Sequence, residues 1–279
     1  MISIVIPAHN EEAVIGRCLT SLISGSKPGE LEIIVACNGC TDRTAEIAHA
    51  FGEPVRVVET QQASKIAALN LGDCAATQFP RCFVDADVEL TIEAVRQVAN
   101  LLLEGNQLAA APAMVVDVSH SSWCVKAFYS IWLKQPYHRP GMLGGGFYAV
   151  SEAGRARFTK FPDIIADDEF VRSHFEEHER ATPENCTFTI HAPRTVADLI
   201  RVKTRSRLGL YQLRSRFPEL KENSYVKNQA SVPRWISTPR LWPSAVVYLI
   251  VNLASKVRAK TQLSGIDAYQ WERDNSSRQ

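Results

Sequence analysis

Short apolar runs alternate with amphipathic segments along the first hundred residues. The apolar runs are rich in β-branched residues and only four to six residues long, which is typical of buried strands. The segments between them place apolar residues at steps of three and four, as a helix packed on a sheet requires. This alternation predicts a mostly parallel sheet in an α/β fold. The predicted strands span 2–6, 31–36, 55–59 and 81–84, and the predicted helices span 13–24, 44–50 and 65–76.

The pattern is less regular after residue 84. Residues 167–178 predict a helix with an acidic first turn, which suits the positive end of the helix dipole. We also predict a helix at 92–103, an apolar run at 109–116, an aromatic segment at 123–137 and a strand at 146–151. From residue 194 onward helices predominate. We therefore divide the chain into a catalytic domain at 1–200, with halves at about 1–105 and 106–200, and a helical basic extension with a polar tail at 201–279.

Composition and charge narrow the function classes. Hydrophobic residues make up 46% and charged residues 22% of the 279 residues, which excludes a disordered chain. The net charge of +1 hides an uneven distribution, because 194–260 holds fourteen Lys or Arg and three acids. Such a basic face suits phosphate groups, anionic lipid or solvent. We expect no nucleic-acid partner.

The seven cysteines follow no disulfide framework. Cys37 and Cys40 form a Cys-x-x-Cys pair, but no second Cys or His pair follows at zinc-ligand spacing. We therefore expect reduced thiols in a cytoplasmic protein. The N-terminal strand shows no signal-peptide pattern.

The longest apolar stretch, 241–254, is too short to span a bilayer and is interrupted by Pro243 and Asn252. Two interpretations stay open for 241–260: a peripheral contact with the inner face of the cell membrane, or a helix packed on the protein.

Polar motifs follow three of the predicted strands, at 7–12, 38–42 and 85–87. In open α/β sheets, loops at the carboxyl ends of the strands converge on the ligand. Asp85-Ala86-Asp87 is the sharpest of these motifs, because two carboxylates at a strand end can share a hard cation such as Mg²⁺ or Mn²⁺ and clamp a diphosphate. A capping or turn role is the alternative for any single Asp-x-Asp.

Several other residues suit a catalytic or binding role, but each of them could instead have a purely structural role. Asp167 and Asp168 follow an apolar run and either supply a general base or cap a helix. Lys65 either contacts phosphate or is solvated. The cluster Gly144-Gly145-Gly146 permits close approach to a ligand or forms a tight turn. Asn38 and Asp42 have turn and cap roles open to them besides nucleotide binding.

Taken in order, these motifs resemble the inverting family 2 glycosyltransferases of the GT-A fold. The resemblance covers about residues 2–216, and six motifs in sequence make it specific. It departs from the family pattern at Cys40, where serine is usual, and at Asp167, where many members carry glutamate. It implies a Rossmann-like, mostly parallel sheet flanked by helices, a nucleotide-diphospho-sugar donor, a divalent cation and a hydroxyl acceptor on a sugar or lipid-linked glycan.

The resemblance also implies residue roles. Asp168, beside Asp167, would be the general base, Asp87 and Asp85 would hold the metal, and the glycine cluster 144–146 would frame the acceptor. Arg201, Arg205 and Arg207 resemble a basic cluster that closes over the diphosphate. The implied nucleotide-sugar site comprises Pro7, His9, Glu11, Asn38, Asp42, Lys65, Asp85, Ala86, Arg201 and Arg205.

The implied function is transfer of a sugar with inversion, in surface polysaccharide or glycolipid synthesis. A catalytically inactive nucleotide-sugar-binding or membrane-docked scaffold is the alternative. A sugar nucleotidyltransferase is disfavoured, because the loop after the first strand has two acids and no glycine to receive a triphosphate.

Overall fold

The computed structural model describes residues 1–135, 140–220, 238–263 and 265. Its main feature is a seven-stranded sheet in the order β3-β2-β1-β4-β7-β5-β8, with β6 and β9 paired separately. Strands β3, β2, β1 and β4 are parallel, and β7 is antiparallel to both of its neighbours. The strands are β1 Ile2–Ala8, β2 Leu31–Asn38, β3 Val55–Thr60, β4 Arg81–Val84, β5 Ala109–Ala110, β6 Ala113–Asp117, β7 Phe147–Val150, β8 Arg180–Ala181 and β9 Thr187–His191.

The central strands are buried on both faces. Every residue of β1, β4 and β7 is buried, which explains why these strands are mostly apolar. The polar exceptions, Ser3 and Arg81, both form hydrogen bonds through their side chains. Helices cover the sheet, and side-chain caps fix the start of α3 and α4 among others: Ser64 Oγ accepts from the Ala67 amide, and Thr91 Oγ1 accepts from the Ala94 amide. The helices are α1 Ile15–Ile23, α2 Thr44–His49, α3 Lys65–Ala75, α4 Ile92–Leu103, α5 Trp123–Trp132, α6 Glu152–Arg155, α7 Asp167–Arg172, α8 Val196–Arg216 and α9 Trp242–Gln262.

Two predicted elements differ from the structure. The apolar run 109–116 is two short strands rather than one element. The helix predicted at 167–178 ends at Arg172, because the His174 and Phe175 amides bond three residues back and tighten the chain into a turn. That turn buries the Phe175 ring completely. A separate 3-10 turn follows at Glu177–Glu179.

The chain forms two compact units. The first comprises Met1–Val115, Pro140–Asp163 and Asp167–Ile190, and the second comprises Val116–Arg139, Ile164–Ala166 and His191–Gln279. Within the second unit, α9 packs against α5 and α8. The contacts thus group the described residues of 116–135 with the C-terminal helices. The domain boundary at residue 200 stays a prediction.

Some sequence predictions fall outside the described residues, namely the end of the aromatic segment at Tyr137 and the polar tail from Glu272. Within the described ranges, no helix combines the length and apolar character that crossing a bilayer requires. All seven cysteines are free thiols, and Cys18, Cys37, Cys82 and Cys186 are buried.

A buried ion-pair network joins three elements of the first unit. Asp73 of α3 lies 2.6 Å from Arg81 of β4 and also accepts from Arg155 of α6, whose Nε lies 2.9 Å away. Asp73 and Arg81 are 8% and 7% exposed. One carboxylate therefore compensates two guanidinium groups, and its removal leaves buried charge without a counter-ion.

We expect Asp73→Ala to lower the free energy of unfolding by about 3–5 kcal/mol, measured by urea denaturation. Arg17→Gln is the matched control, because the Arg17–Glu89 pair at 3.3 Å is half-exposed and its loss costs about 1 kcal/mol or less. Equal losses in the two variants would contradict a structural role for the network.

Candidate functional site

The loops after β1 and β2 are tied together by hydrogen bonds. The Asn38 side-chain amide donates to the Ala8 carbonyl at 2.9 Å, and His9 Nδ1 lies 2.6 Å from the Asn38 carbonyl. Asn38 is buried, whereas His9 is half-buried. The structure therefore brings together the first two of the predicted nucleotide-site loops.

Asp42 organises the start of α2. Its Oδ1 accepts from the Thr44 amide at 3.0 Å, and its Oδ2 accepts from the Glu12 amide at 3.1 Å. Thr44 Oγ1 in turn accepts from the amide of the buried Glu11 at 2.7 Å. These hydrogen bonds support the capping alternative for Asp42, and its role in a nucleotide-sugar site stays a prediction.

Cys40 also contributes to this loop. Its thiol donates to the Ala8 carbonyl at 3.4 Å, the kind of contact that a serine hydroxyl makes. The departure from serine therefore keeps a polar contact at this position.

Asp85, Ala86 and Asp87 form a turn directly after β4. The Asp85 amide donates to the Gly146 carbonyl at 2.8 Å, and the Asp85 carbonyl accepts from the Val88 amide at 3.1 Å. Both aspartates are half-buried, while Ala86 is buried. The turn therefore presents two carboxylates at the sheet edge, as the sequence predicted.

Lys65 bridges two carboxylates from distant parts of the chain. Its Nζ lies 2.8 Å from Asp85 Oδ1 and 3.1 Å from Asp167 Oδ1. Burial acts to lower the pKa of Lys65, but the charges of Asp167 and Asp85 outweigh it and raise the pKa well above its ordinary value. Lys65 is therefore a permanent cation held between the end of β4 and the start of α7.

Asp167 and Asp168 are adjacent but lie in different surroundings. Asp167 is 4% exposed, and burial raises its pKa to about 6 although Lys65 opposes the shift. Asp168 is half-buried, and its carboxylate accepts from the Gly145 amide at 3.2 Å and the Glu169 amide at 2.8 Å. Asp168 is thus the member of the pair with solvent access.

The glycine cluster touches both acidic motifs. A Cβ on Gly144 would lie 2.5 Å from Asp168 Oδ2, and a Cβ on Gly146 would lie 2.6 Å from Val88 Cγ2. Both glycines have a left-handed φ, +115° and +109°. The site therefore requires glycine here for conformation and for space.

Tyr148 is a residue that sequence reasoning missed. Its ring stacks on Phe83 with centroids 5.1 Å apart, and its buried hydroxyl has no hydrogen-bond partner among the described residues. Burial, followed by the nearby carboxylates, raises its pKa well above the ordinary value. The available signal was its place in β7, directly after the glycine cluster. Tyr148 lines a cavity of about 20 Å³ together with Pro7, Lys65, Leu69, Phe83, Val84, Asp85, Gly146, Asp167 and Asp168.

The predicted arginine cluster lies on α8 in the second unit. Arg201 pairs with Asp198 one turn away, at 2.6 Å. Arg207 donates to Ser255 Oγ at 3.0 Å and to Asn252 Oδ1 of α9. Arg207 thus holds two helices together, and a diphosphate role for Arg201 and Arg205 stays a prediction.

The donor set at the turn after β4 fits a hard divalent cation. Carboxylate oxygens are the ligands that Mg²⁺ and Mn²⁺ prefer, and Asp85 and Asp87 supply them within one turn. Across the described residues, no group of three or more His, Cys, Asp or Glu side chains is arranged to hold a metal. A divalent cation held by this pair would need further ligands from outside it.

Comparison with known proteins identifies the family. The model of "Glycosyl transferase family 2" matches residues 3–149. The probable glycosyltransferase YdaM of Bacillus subtilis is 36% identical over 94 residues, 31% of this chain and 22% of that protein. The uncharacterized glycosyltransferase YibD of Escherichia coli is 29% identical over 150 residues, 52% of this chain and 41% of that protein. The chain thus covers less than half the length of either relative.

Solved structures share the fold. A mannosyltransferase from Pyrobaculum calidifontis, in complex with GDP-Man and Mn²⁺, has a TM-score of 0.61 at 19% identity, over 97% of this chain and 76% of that one. Glucosyl-3-phosphoglycerate synthase from Mycobacterium tuberculosis, in complex with Mn²⁺, UDP and phosphoglyceric acid, has a TM-score of 0.54 at 23% identity. The match covers 77% of this chain and 78% of that one. The predicted GT-A fold, a mostly parallel sheet flanked by helices, is confirmed. Because the family model spans just over half of the 279 residues, this chain belongs to glycosyl transferase family 2.

Proposed function

We propose that this protein transfers a sugar from a nucleoside-diphosphate donor to a hydroxyl acceptor, by one direct displacement that inverts the anomeric centre. The observation that carries the proposal is the position of Asp168. Its half-buried carboxylate is oriented by two backbone amides and lies beside the Lys65–Asp85–Asp167 cluster. A fixed carboxylate with solvent access suits general-base chemistry on a hydroxyl.

Asp168 suits the role of base better than Asp167. The Asp167 carboxylate is buried and bound to Lys65 at 3.1 Å, so it has little access to an acceptor. Asp168 instead accepts from two backbone amides, and these bonds fix the direction of its carboxylate. Asp167 then acts as a positioning residue, because it anchors the start of α7 through Lys65.

The donor site is proposed at the carboxyl edge of β1, β2 and β4. The paired loops that carry His9 and Asn38 supply a polar wall for the nucleoside. Asp85 and Asp87 would hold a divalent cation, which when bound neutralises charge on the diphosphate. Structural neighbours solved with GDP-Man or UDP and with Mn²⁺ support this donor class.

Lys65 has a structural role in this proposal rather than a phosphate contact. Its ammonium group offsets repulsion between Asp85 and Asp167, whose oxygens it joins at 2.8 and 3.1 Å. Without that cation, two carboxylates at one edge would repel each other. The acceptor is proposed to be a hydroxyl of a sugar or lipid-linked glycan, in surface polysaccharide or glycolipid synthesis on the cytoplasmic side.

The donor is tested by measuring nucleoside diphosphate release from UDP-, GDP- and dTDP-sugars, with Mg²⁺ or Mn²⁺ and then with EDTA. We expect release from one donor class, lost with EDTA and reduced at least about 100-fold in Asp87→Ala, since charge stabilisation of a leaving group contributes on that scale. Donor binding in calorimetry without release, in the presence of candidate acceptors, would favour the inactive scaffold.

The base is tested with Asp168→Asn. We expect kcat to fall by about 100- to 10,000-fold, the range for loss of a general base, while the donor KM changes little. Glu184→Gln, a substitution at an exposed acid of the same unit, is the control and should keep wild-type kcat. Normal turnover by Asp168→Asn would remove the assignment.

The glycine cluster is tested with Gly144→Ala. The new Cβ would lie 2.5 Å from Asp168 Oδ2, so the carboxylate must move, and we expect kcat to fall by about 100-fold. Gly52→Ala is the matched control, because Gly52 also has a left-handed φ, +60°, but no atom lies within 4 Å of the added Cβ. It should cost stability of about 1–2 kcal/mol and leave kcat unchanged. Equal kcat values in the two variants would show that Asp168 tolerates the added Cβ.

A further inference from the structure

One side of α9 is apolar and exposed. Its six large side chains recur at steps of three and four residues, so they form a continuous stripe along the helix. Their exposed fractions lie between 54% and 65%, whereas Ala245 and Val251 of the same helix are almost fully buried. This α9 stripe consists of Trp242, Val246, Leu249, Ile250, Leu253 and Val257.

The opposite side of α9 is held in place within the second unit. Ala245, Val251 and Ser255 are buried where α9 packs on α5 and α8. The Arg207 guanidinium binds Ser255 at 3.0 Å, and the Tyr248 ring stacks on Phe128 with centroids 5.3 Å apart. Rotation of α9 would break these contacts, so they keep the stripe on the exposed side of the helix.

The charged residues of the segment that carries the stripe all have the same sign. Residues 239–263 contain no Asp or Glu, and they contain four cations: Arg240, Lys256, Arg258 and Lys260. Lys256 and Lys260 are exposed. They lie three residues after Leu253 and Val257, so they share the side of the helix that carries the stripe. Long lysine side chains in this position keep their charge in water while their stems cover apolar surface.

We propose that α9 docks the protein on an anionic membrane surface, lying in the plane of the interface. The stripe spans fifteen residue steps, roughly 22 Å at 1.5 Å per residue, and its apolar side chains would enter the headgroup boundary. The lysines beside it would face anionic headgroups. A second copy of α9 is a less suitable partner for the stripe. Residues 239–263 contain no carboxylate, so two paired α9 helices could not neutralise each other's four cations in either orientation.

The test is sedimentation of the full chain with vesicles of phosphatidylcholine, alone or mixed with phosphatidylglycerol. We expect binding to the mixed vesicles and at least ~10-fold weaker binding by the double variant Leu249→Glu, Leu253→Glu, since it removes two apolar side chains from the interface. Leu103→Glu is the matched control, because Leu103 is 68% exposed on α4 of the other unit. It should bind as the wild type does.

A second double variant tests the contribution of the lysine charges to membrane binding separately from that of the apolar stripe. Lys256→Gln with Lys260→Gln should lower affinity for mixed vesicles about tenfold or more and leave the weak binding to phosphatidylcholine unchanged. Thermal melting and donor turnover in solution should match the wild type in both double variants, which separates this proposal from the proposed reaction.

Two results would overturn the proposal. One is wild-type binding to mixed vesicles no stronger than that of Leu249→Glu, Leu253→Glu. The other is a wild-type dimer in light scattering that this variant dissociates, which would assign the stripe to a second copy of the chain.

Discussion

The contact on which the rest of the site depends is the bridge from Lys65 to Asp85 and Asp167. It joins the first turn of α3, the end of β4 and the start of α7, which are far apart in sequence. The cation offsets repulsion between the two acids, so both remain at one edge of the sheet. Asp168 then owes its position to its neighbour Asp167 and to the amide of Gly145.

The sequence predicted the central elements well, because their determinants are local. The strand 81–84 and the helix 92–103 match the structure residue for residue, since one is a short run buried on both faces and the other begins at the Thr91 cap. The helix predicted at 167–178 is shorter than expected. Burial of Phe175 turns the chain, and the local pattern of residues carries no record of that tertiary contact.

The proximity of several motifs was predicted from the sequence, whereas the contacts between them were not, and their functional roles stay predictions. The aspartates at 85, 167 and 168 and the glycine cluster lie together, as the order of motifs indicated. The carboxylate partners of Lys65 were not foreseen, because the choice between a phosphate and a carboxylate partner depends on which elements meet in space. The stacking of Tyr148 on Phe83 and the pairing of Arg155 with Asp73 escaped prediction for the same reason, because each joins residues that are far apart in sequence.

The composition of this cluster has a consequence for how a ligand enters it. Lys65 is one cation among four carboxylates, Asp85, Asp87, Asp167 and Asp168, which leaves three negative charges in excess when all are ionised. A diphosphate approaching alone would be repelled by this edge of the sheet, whereas a diphosphate already carrying bound positive charge would be repelled less. For the proposed donor, this excess of negative charge would favour a diphosphate that carries a cation over one that arrives without it.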